Sequence, residues 1–374
     1  MSEYQYYEFQ AVDRPLTERE RKELRALSTR ARITATSFVN SYDFGGFRGN
    51  PDKLMERCFD LFIYVANWGS RRFSMRLPKG LVELDALKRF LVNRDVGTAR
   101  QTAEHVIVDL WRDELELEYW EAGDEWMSAL APLRADVLHG DLRVFYLAWL
   151  TVAEMEELPD SALEPLPGIG PLTAPLEAFA DFYVIDRDLL AAAASAGASA
   201  AALDDGSVED RIRALDEEEK VALLLSLHAG GDPHLGAKLR RRLAMGGAAA
   251  PQHTLRTVAE LRTTAQRLKA KREAAERKRA ERDRRKREKQ EAQAKALRLK
   301  DLAARGDAVW QEVEGQINLR NPAGYAQAVA LLVDLRDLAS QQRQPEDFAR
   351  RLVEIRLRHE RKGKFIERLD AALR

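Results

Sequence analysis

The chain is poor in the residues that staple small folds together. It has one cysteine in 374 residues, Cys58, which excludes an intrachain disulfide framework and any cysteine-based zinc site. Long hydrophobic runs are also missing. The most apolar stretch, residues 142–153, contains Arg143 and is too short to span a bilayer. Residues 1–8 carry neither a basic region nor an apolar core, so no secretory leader is expected and the chain is read as soluble and cytoplasmic. Neither Gly-x-Ser-x-Gly nor His-Glu-x-x-His occurs, and no motif calls for a cofactor. Aromatic residues are scarce beyond the first half: 24 of the 28 precede residue 184, and the next is Trp310. Aromatic side chains dominate core energetics, so the main core is expected in the first half.

Net charge is nearly absent, at −1, but this is a cancellation. Residues 1–253 carry −13, residues 254–305 carry +11 and residues 306–374 carry +1. A hydrophobic content of 45% is ordinary for a folded protein.

The N-terminal half alternates strand and helix signals. Residues 4–12 are rich in β-formers and predict a strand. Thr17-Glu18-Arg19-Glu20 has the form of a capping box before a helix. Residues 33–42 predict a second strand, and Asn50-Pro51 supplies an N-cap and first helical residue for a helix reaching about Leu61. Residues 62–66 and 71–77 form a hairpin pattern around Asn67-Trp68-Gly69-Ser70. Residues 104–111 and 115–121 read as another hairpin, turning at Asp113-Glu114.

From Asp124 the periodicity becomes helical. Asp141 is placed as the N-cap of the helix bearing Phe145 and Trp149, and a proline-rich connection then leads to a helix with Leu176, Phe179 and Phe182. Residues 191–202 are almost entirely Ala, Ser and Gly, a low-complexity linker or loose helix. Two short helices flank Gly230-Gly231-Asp232-Pro233, and Gly246-Gly247 closes the segment.

Residues 254–305 contain no Gly, Pro or aromatic residue and predict one continuous helix about 78 Å long. Between Lys269 and Ala296 alanine is the only apolar residue, so no heptad seam can be buried there. Support must come from pairs four residues apart: Glu273–Arg277, Glu281–Arg285, Asp283–Arg287 and Glu291–Lys295. Beyond Gly306, three amphipathic helices form a C-terminal helical hairpin with a final turn.

The expected fold is thus an α+β N-terminal domain (1–122), a helical domain (123–253), a long basic helical arm (254–305) and a C-terminal helical hairpin (306–374). The C-terminal run at residues 325–339, followed by Phe348, Arg351-Leu352, Arg358-His359 and residues 365–369, resembles the C-terminal helical module of some bacterial SWIM-type zinc-finger proteins. The N-terminal half resembles an uncharacterised bacterial family of no assigned activity. A SWIM finger needs three cysteines and a histidine, which this chain does not supply. The resemblance therefore implies a bacterial cytoplasmic protein whose helical tail meets another protein, and carries over neither zinc nor DNA binding.

Few residues suggest chemistry. The loop at residues 45–50 precedes a helix and makes Arg48 a candidate anion contact. His105 and Asp109 stand four apart on one strand face and could pair as acid and base; His228 and His234 straddle a turn and suit capping or surface roles. Cys58 reads as a small buried hydrophobe. Arg277, Lys278, Arg279, Arg282, Arg284, Arg285, Lys286 and Arg287 form a basic block without interleaved aromatics, suited to sequence-independent phosphate contact. The leading expectation is a non-enzymatic scaffold with a protein partner and a charged arm between two binding modules. The alternative is a nucleic-acid- or ribosome-associated protein using the basic arm. An enzyme built on Arg48, His105 and Asp109 comes third, and membrane binding is not expected because the arm lacks bulky apolar residues.

Overall fold

A computed structural model describes residues 3–116, 123–196, 205–230, 232–245 and 254–373. Most of the expected strand at 115–121, much of the Ala/Ser/Gly tract, Gly231 and Gly246-Gly247 lie outside the described residues.

The chain begins with β1 (Gln5–Gln10), α1 (Glu18–Leu27), β2 (Arg32–Ile33), β3 (Ser37–Tyr42), α2 (Pro51–Arg57), β4 (Leu61–Ala66), β5 (Arg71–Pro78), α3 (Leu84–Lys88), β6 (Gly97–Gln101) and β7 (His105–Arg112). The strands form one antiparallel sheet in the order β2-β3-β1-β4-β5-β7-β6. The capping box is present: Thr17 Oγ1 accepts from the Glu20 N–H while Glu20 accepts from the Thr17 N–H. The helix begun at Asn50-Pro51 stops at Arg57, and Leu61 already belongs to β4. Strand β7 lies between β5 and β6.

Strand alternation sorts the core. On β4 and β5, Leu61, Ile63, Val65, Phe73, Met75 and Leu77 enter one core with Val106, Val108 and Leu110 of β7. Phe62, with Phe9 and Phe38, enters a second core under α1 and α2, and the Phe9 and Phe62 rings stack at 4.2 Å. On that same face Arg72, Ser74 and Arg76 replace apolar residues along β5.

The tight β4–β5 hairpin depends on Gly69, whose φ is +90°. A Cβ there would lie 2.4 Å from the Leu115 carbonyl oxygen. Gly69→Ala is expected to destabilise the protein by about 1–3 kcal/mol in urea unfolding, since both the backbone and its neighbour must yield.

The helices α4 (Trp126–Leu130), α5 (Pro132–Leu138), α6 (Arg143–Glu154), α7 (Ala174–Phe182) and α8 (Arg187–Ala194) follow the sheet. Pro132 separates α4 from α5. The cap position of α6 falls on Leu142, and Asp141, one residue earlier, accepts from the Arg143 N–H and guanidinium. Phe145, Trp149, Phe179 and Phe182 join the first core, so sheet and helices share it across the composition boundary at residue 122. Three helices continue the chain, α9 (Asp205–Arg213), α10 (Glu217–Ala229) and α11 (Leu235–Met245), and then α12 (Val258–Arg305) runs unbroken for 48 residues.

The chain divides into two compact units, Met1–Arg272 and Glu273–Arg374. Val258, Leu261 and Ala265, at the start of α12, belong to the core of the first. Leu299 and Leu302, near its end, belong to the core of the second, with α13 (Asp307–Asn318), α14 (Pro322–Gln341), α15 (Pro345–Arg358) and α16 (Gly363–Leu373).

Candidate functional site

His105 and Asp109 share a face of β7, but four residues of strand separate them by about 13 Å. Each has its own surroundings. Asp109 accepts from Arg72 Nε at 2.6 Å and Ser74 Oγ at 2.7 Å, and Arg72 also pairs with Asp52. Burial raises the Asp109 pKa above its ordinary value, although Arg72 works against the rise. The Arg72 guanidinium lies 4.1 Å from the Trp111 ring centre, so it is held on three sides. Burial and the nearby Arg76 lower the His105 pKa. No acid–base pair forms between them.

Arg48 is exposed, ahead of α2. One N–H of the helix start is already engaged, since Asn50 Oδ1 accepts from the Lys53 N–H at 3.0 Å, and the first turn carries the acidic Asp52. Cys58 is buried, as expected. Its thiol donates weakly to Glu20 at 3.6 Å, and burial with the Glu20 charge pushes its pKa up to about 11. A thiol held protonated is a poor nucleophile.

His234, expected in a capping or surface role, donates its backbone N–H to Asp232 at 2.9 Å, and its ring reaches Asp13 across 221 residues, with Nε2 3.0 Å from Oδ2. The same Asp13 oxygen accepts from Arg134 Nη2 at 2.6 Å, and Arg134 Nε donates to the Arg76 carbonyl at 2.8 Å. Arg76 in turn forks onto the fully buried Asp60. The network opens into a cleft of about 330 Å³ beside Leu138, His139 and Ala237. Among the described lining residues there is no Ser, Thr, Cys or Lys to act as a nucleophile beside the imidazole. The oxygen facing His234 is shared with Arg134, so the arrangement ties α5 and the start of α11 to the chain after β1. Nor do three His, Cys, Asp or Glu residues lie close enough together to hold a metal, among the described residues.

The second site is α12. Residues 274–298 are exposed without interruption. Glu273 pairs with Arg277, Glu281 with Arg285 and Glu288 with Arg284. The expected Asp283–Arg287 pair does not form, and Lys295 turns to Asp337 of α14 instead of Glu291. Lys278, Arg279, Arg282, Lys286, Arg287 and Lys289 have no ion-pair or hydrogen-bond partner among the described residues.

Third, both units expose apolar helix surface. No side chain of α10 is buried, and Val221, Leu224, Leu225 and Leu227 are 52–67% exposed, beside an exposed His228. On α15, Val353 and Leu357 stand one turn apart at 54% and 67%. Single exposed apolar side chains need no explanation, but a valine and three leucines on one helix do. Among the described residues, no helix is long and apolar enough to cross a membrane.

No protein-family model, curated protein or solved structure matches this chain.

Proposed function

We infer that this protein is a non-enzymatic, two-module interaction protein, in which α12 joins an α+β module to a helical module and each module engages a protein partner of its own. The observation that carries this reading is α10, a helix of 13 residues on which Val221, Leu224, Leu225 and Leu227 are more than half exposed among the described residues. Burying such side chains is worth about 1.5–3 kcal/mol each, an energy that a partner with apolar side chains recovers. Val353 and Leu357 give the second module a smaller surface of the same chemistry. The joining helix adds support, since its exposed middle contributes to neither core.

The test is affinity capture with the full chain as bait, repeated with a Leu224→Glu/Leu225→Glu variant and with Leu357→Glu. All three side chains are at least 63% exposed, so stability should change by no more than about 0.5 kcal/mol. Each variant should lose a different captured protein. If both variants capture the same proteins as the unaltered chain, neither face is a docking surface and the reading fails.

A further inference from the structure

We propose that one face of α12 is a docking surface for the phosphate backbone of double-stranded nucleic acid. Successive residues of an α-helix turn by 100°, which fixes where each charge of the exposed stretch points. Lys278, Arg279, Arg282, Arg285, Lys286 and Lys289 fall within one sector about 120° wide. Glu273, Glu276, Glu281, Asp283, Glu288 and Glu291 all fall outside it. Of the six cations only Arg285 has an acidic partner, Glu281, at the edge of the sector. All six are exposed.

Intrahelical stability alone does not favour this pattern. A solvated spacer gains by setting each cation four residues from an acid, whereas Lys278, Arg282 and Lys286 are three like charges in a row at that spacing. The stripe lowers helix stability unless something anionic lies along it. Its geometry fits a regular polyanion. From Lys278 to Lys289 the rise is about 16 Å, long enough to follow several phosphates, and a helix 10–12 Å across matches the major groove of B-form DNA, about 12 Å wide, while an RNA duplex would be met along its phosphates alone. Duplex is favoured over single strand because no aromatic residue lies on α12 to stack on a base. A membrane surface is disfavoured, because residues 274–296 contain no apolar residue larger than alanine. Lysine and arginine contacts to phosphate position a helix without reading bases, so binding is sequence-independent. The shared chemistry is the phosphodiester backbone, whether of DNA or RNA.

The inference stands apart from the two-partner reading and is tested on the full chain. Binding to fluorescent random-sequence 20-base-pair duplexes, one DNA and one RNA, is titrated from 50 to 200 mM salt. At least one duplex should bind at 50 mM, with log K falling against log salt at a slope of about 5 for five or six phosphate contacts. The variant Lys278→Gln/Arg282→Gln/Lys286→Gln should bind at least tenfold more weakly at 50 mM and lose between two and three from that slope. Its match, Arg277→Gln/Arg284→Gln/Arg287→Gln, removes the same charge from the opposite face and should change affinity less than threefold. Far-UV circular dichroism confirms that both remain helical. Failure of both duplexes to bind at 50 mM overturns the proposal. So does equal weakening by the two variants, which would mean net charge and not a face. Tighter binding to phosphatidylserine vesicles than to either duplex, lost in the first variant, would also overturn it in favour of a membrane.

Discussion

Replacing Arg256 by alanine is expected to cost about 3–5 kcal/mol, a large share of the roughly 5–15 kcal/mol that holds a typical domain folded. The reason is the residue left behind. The Glu164 side chain is fully buried and accepts from the Arg256 backbone N–H and Nε, each at 2.9 Å, from Nη2 at 2.8 Å and from the Tyr146 hydroxyl at 2.6 Å. Burial alone would lower the Arg256 pKa; the Glu164 carboxylate reverses that and keeps the guanidinium charged. The same guanidinium donates to the carbonyls of Ala192 and Ala193 at the end of α8. Alanine removes every guanidinium contact and leaves a buried carboxylate without a countercharge, hydrogen-bonded only to the backbone N–H of residue 256 and the Tyr146 hydroxyl. Arg256→Lys keeps the charge without the fork and should fall between the two. Arg256→Ala combined with Glu164→Gln should recover part of the loss, because no charge then remains buried. Urea unfolding followed by circular dichroism checks the series, and a loss below about 1 kcal/mol for Arg256→Ala would refute the account. A truncation follows from the same contacts. The Glu164 N–H donates to the Arg256 carbonyl and the Val258 N–H to that of Ala162, so ending the chain at 253 strips the first unit of part of its core.

The helix starts at Thr17 and Asn50 were legible because a cap is a local arrangement of side chain and backbone within four residues. Strands β1, β3 and β4 were legible because they are rich in aromatic and β-branched residues, and β5 because Phe73, Met75 and Leu77 alternate with polar residues after the turn at Gly69. Strand β6 was not. Gly97-Thr98-Ala99-Arg100-Gln101 has weak β-propensity and lies at the sheet edge, where its pairing with β7 creates the strand. The two ionic networks were illegible for a different reason. Asp13 meets His234 across 221 residues and Glu164 meets Arg256 across 92, and periodicity reports only what neighbours share. Arg72 and Arg76 on β5 look like solvent positions in sequence, since arginine is rarely buried. They are buried because Asp109 and Asp60 receive them. The exposure of α10 also escaped notice, since its leucines resemble an ordinary core face until the fold leaves Leu224, Leu225 and Leu227 exposed among the described residues.

Asp60 is expected to give the second large effect, with a pH signature. Its carboxylate is fully buried; Oδ2 accepts from the Val12 and Asp13 N–H groups at 2.7 and 3.0 Å, and Oδ1 accepts from Arg76 Nη2 at 2.8 Å. Arg134 Nη2 lies 3.6 Å from the same oxygen. Burial pushes the Asp60 pKa up, but Arg76, Arg134 and the two backbone donors outweigh it and hold the pKa below its ordinary 3.8. A carboxyl depressed in the folded state stabilises fully above its unfolded pKa and loses that contribution as pH falls through the folded value. Asp60→Asn should therefore cost about 3–5 kcal/mol at neutral pH, leaving Arg134 paired with Asp13 and Arg76 buried with no ion-pair partner among the described residues. An asparagine fits poorly for a second reason: every neighbour of the carboxylate is a donor, and its amide NH2 would face one of them. The gap in unfolding free energy between the native chain and Asp60→Asn should be constant from about pH 7 to pH 5 and narrow as pH drops below about 4, where Asp60 of the unfolded chain takes up a proton while the folded carboxylate, with its lowered pKa, stays charged. Adding Arg76→Met to Asp60→Asn removes one orphaned guanidinium and should restore part of the loss. A gap that stays constant down to pH 2, or a loss under about 1 kcal/mol at pH 7, would mean that Asp60 does not hold these two arginines in the core.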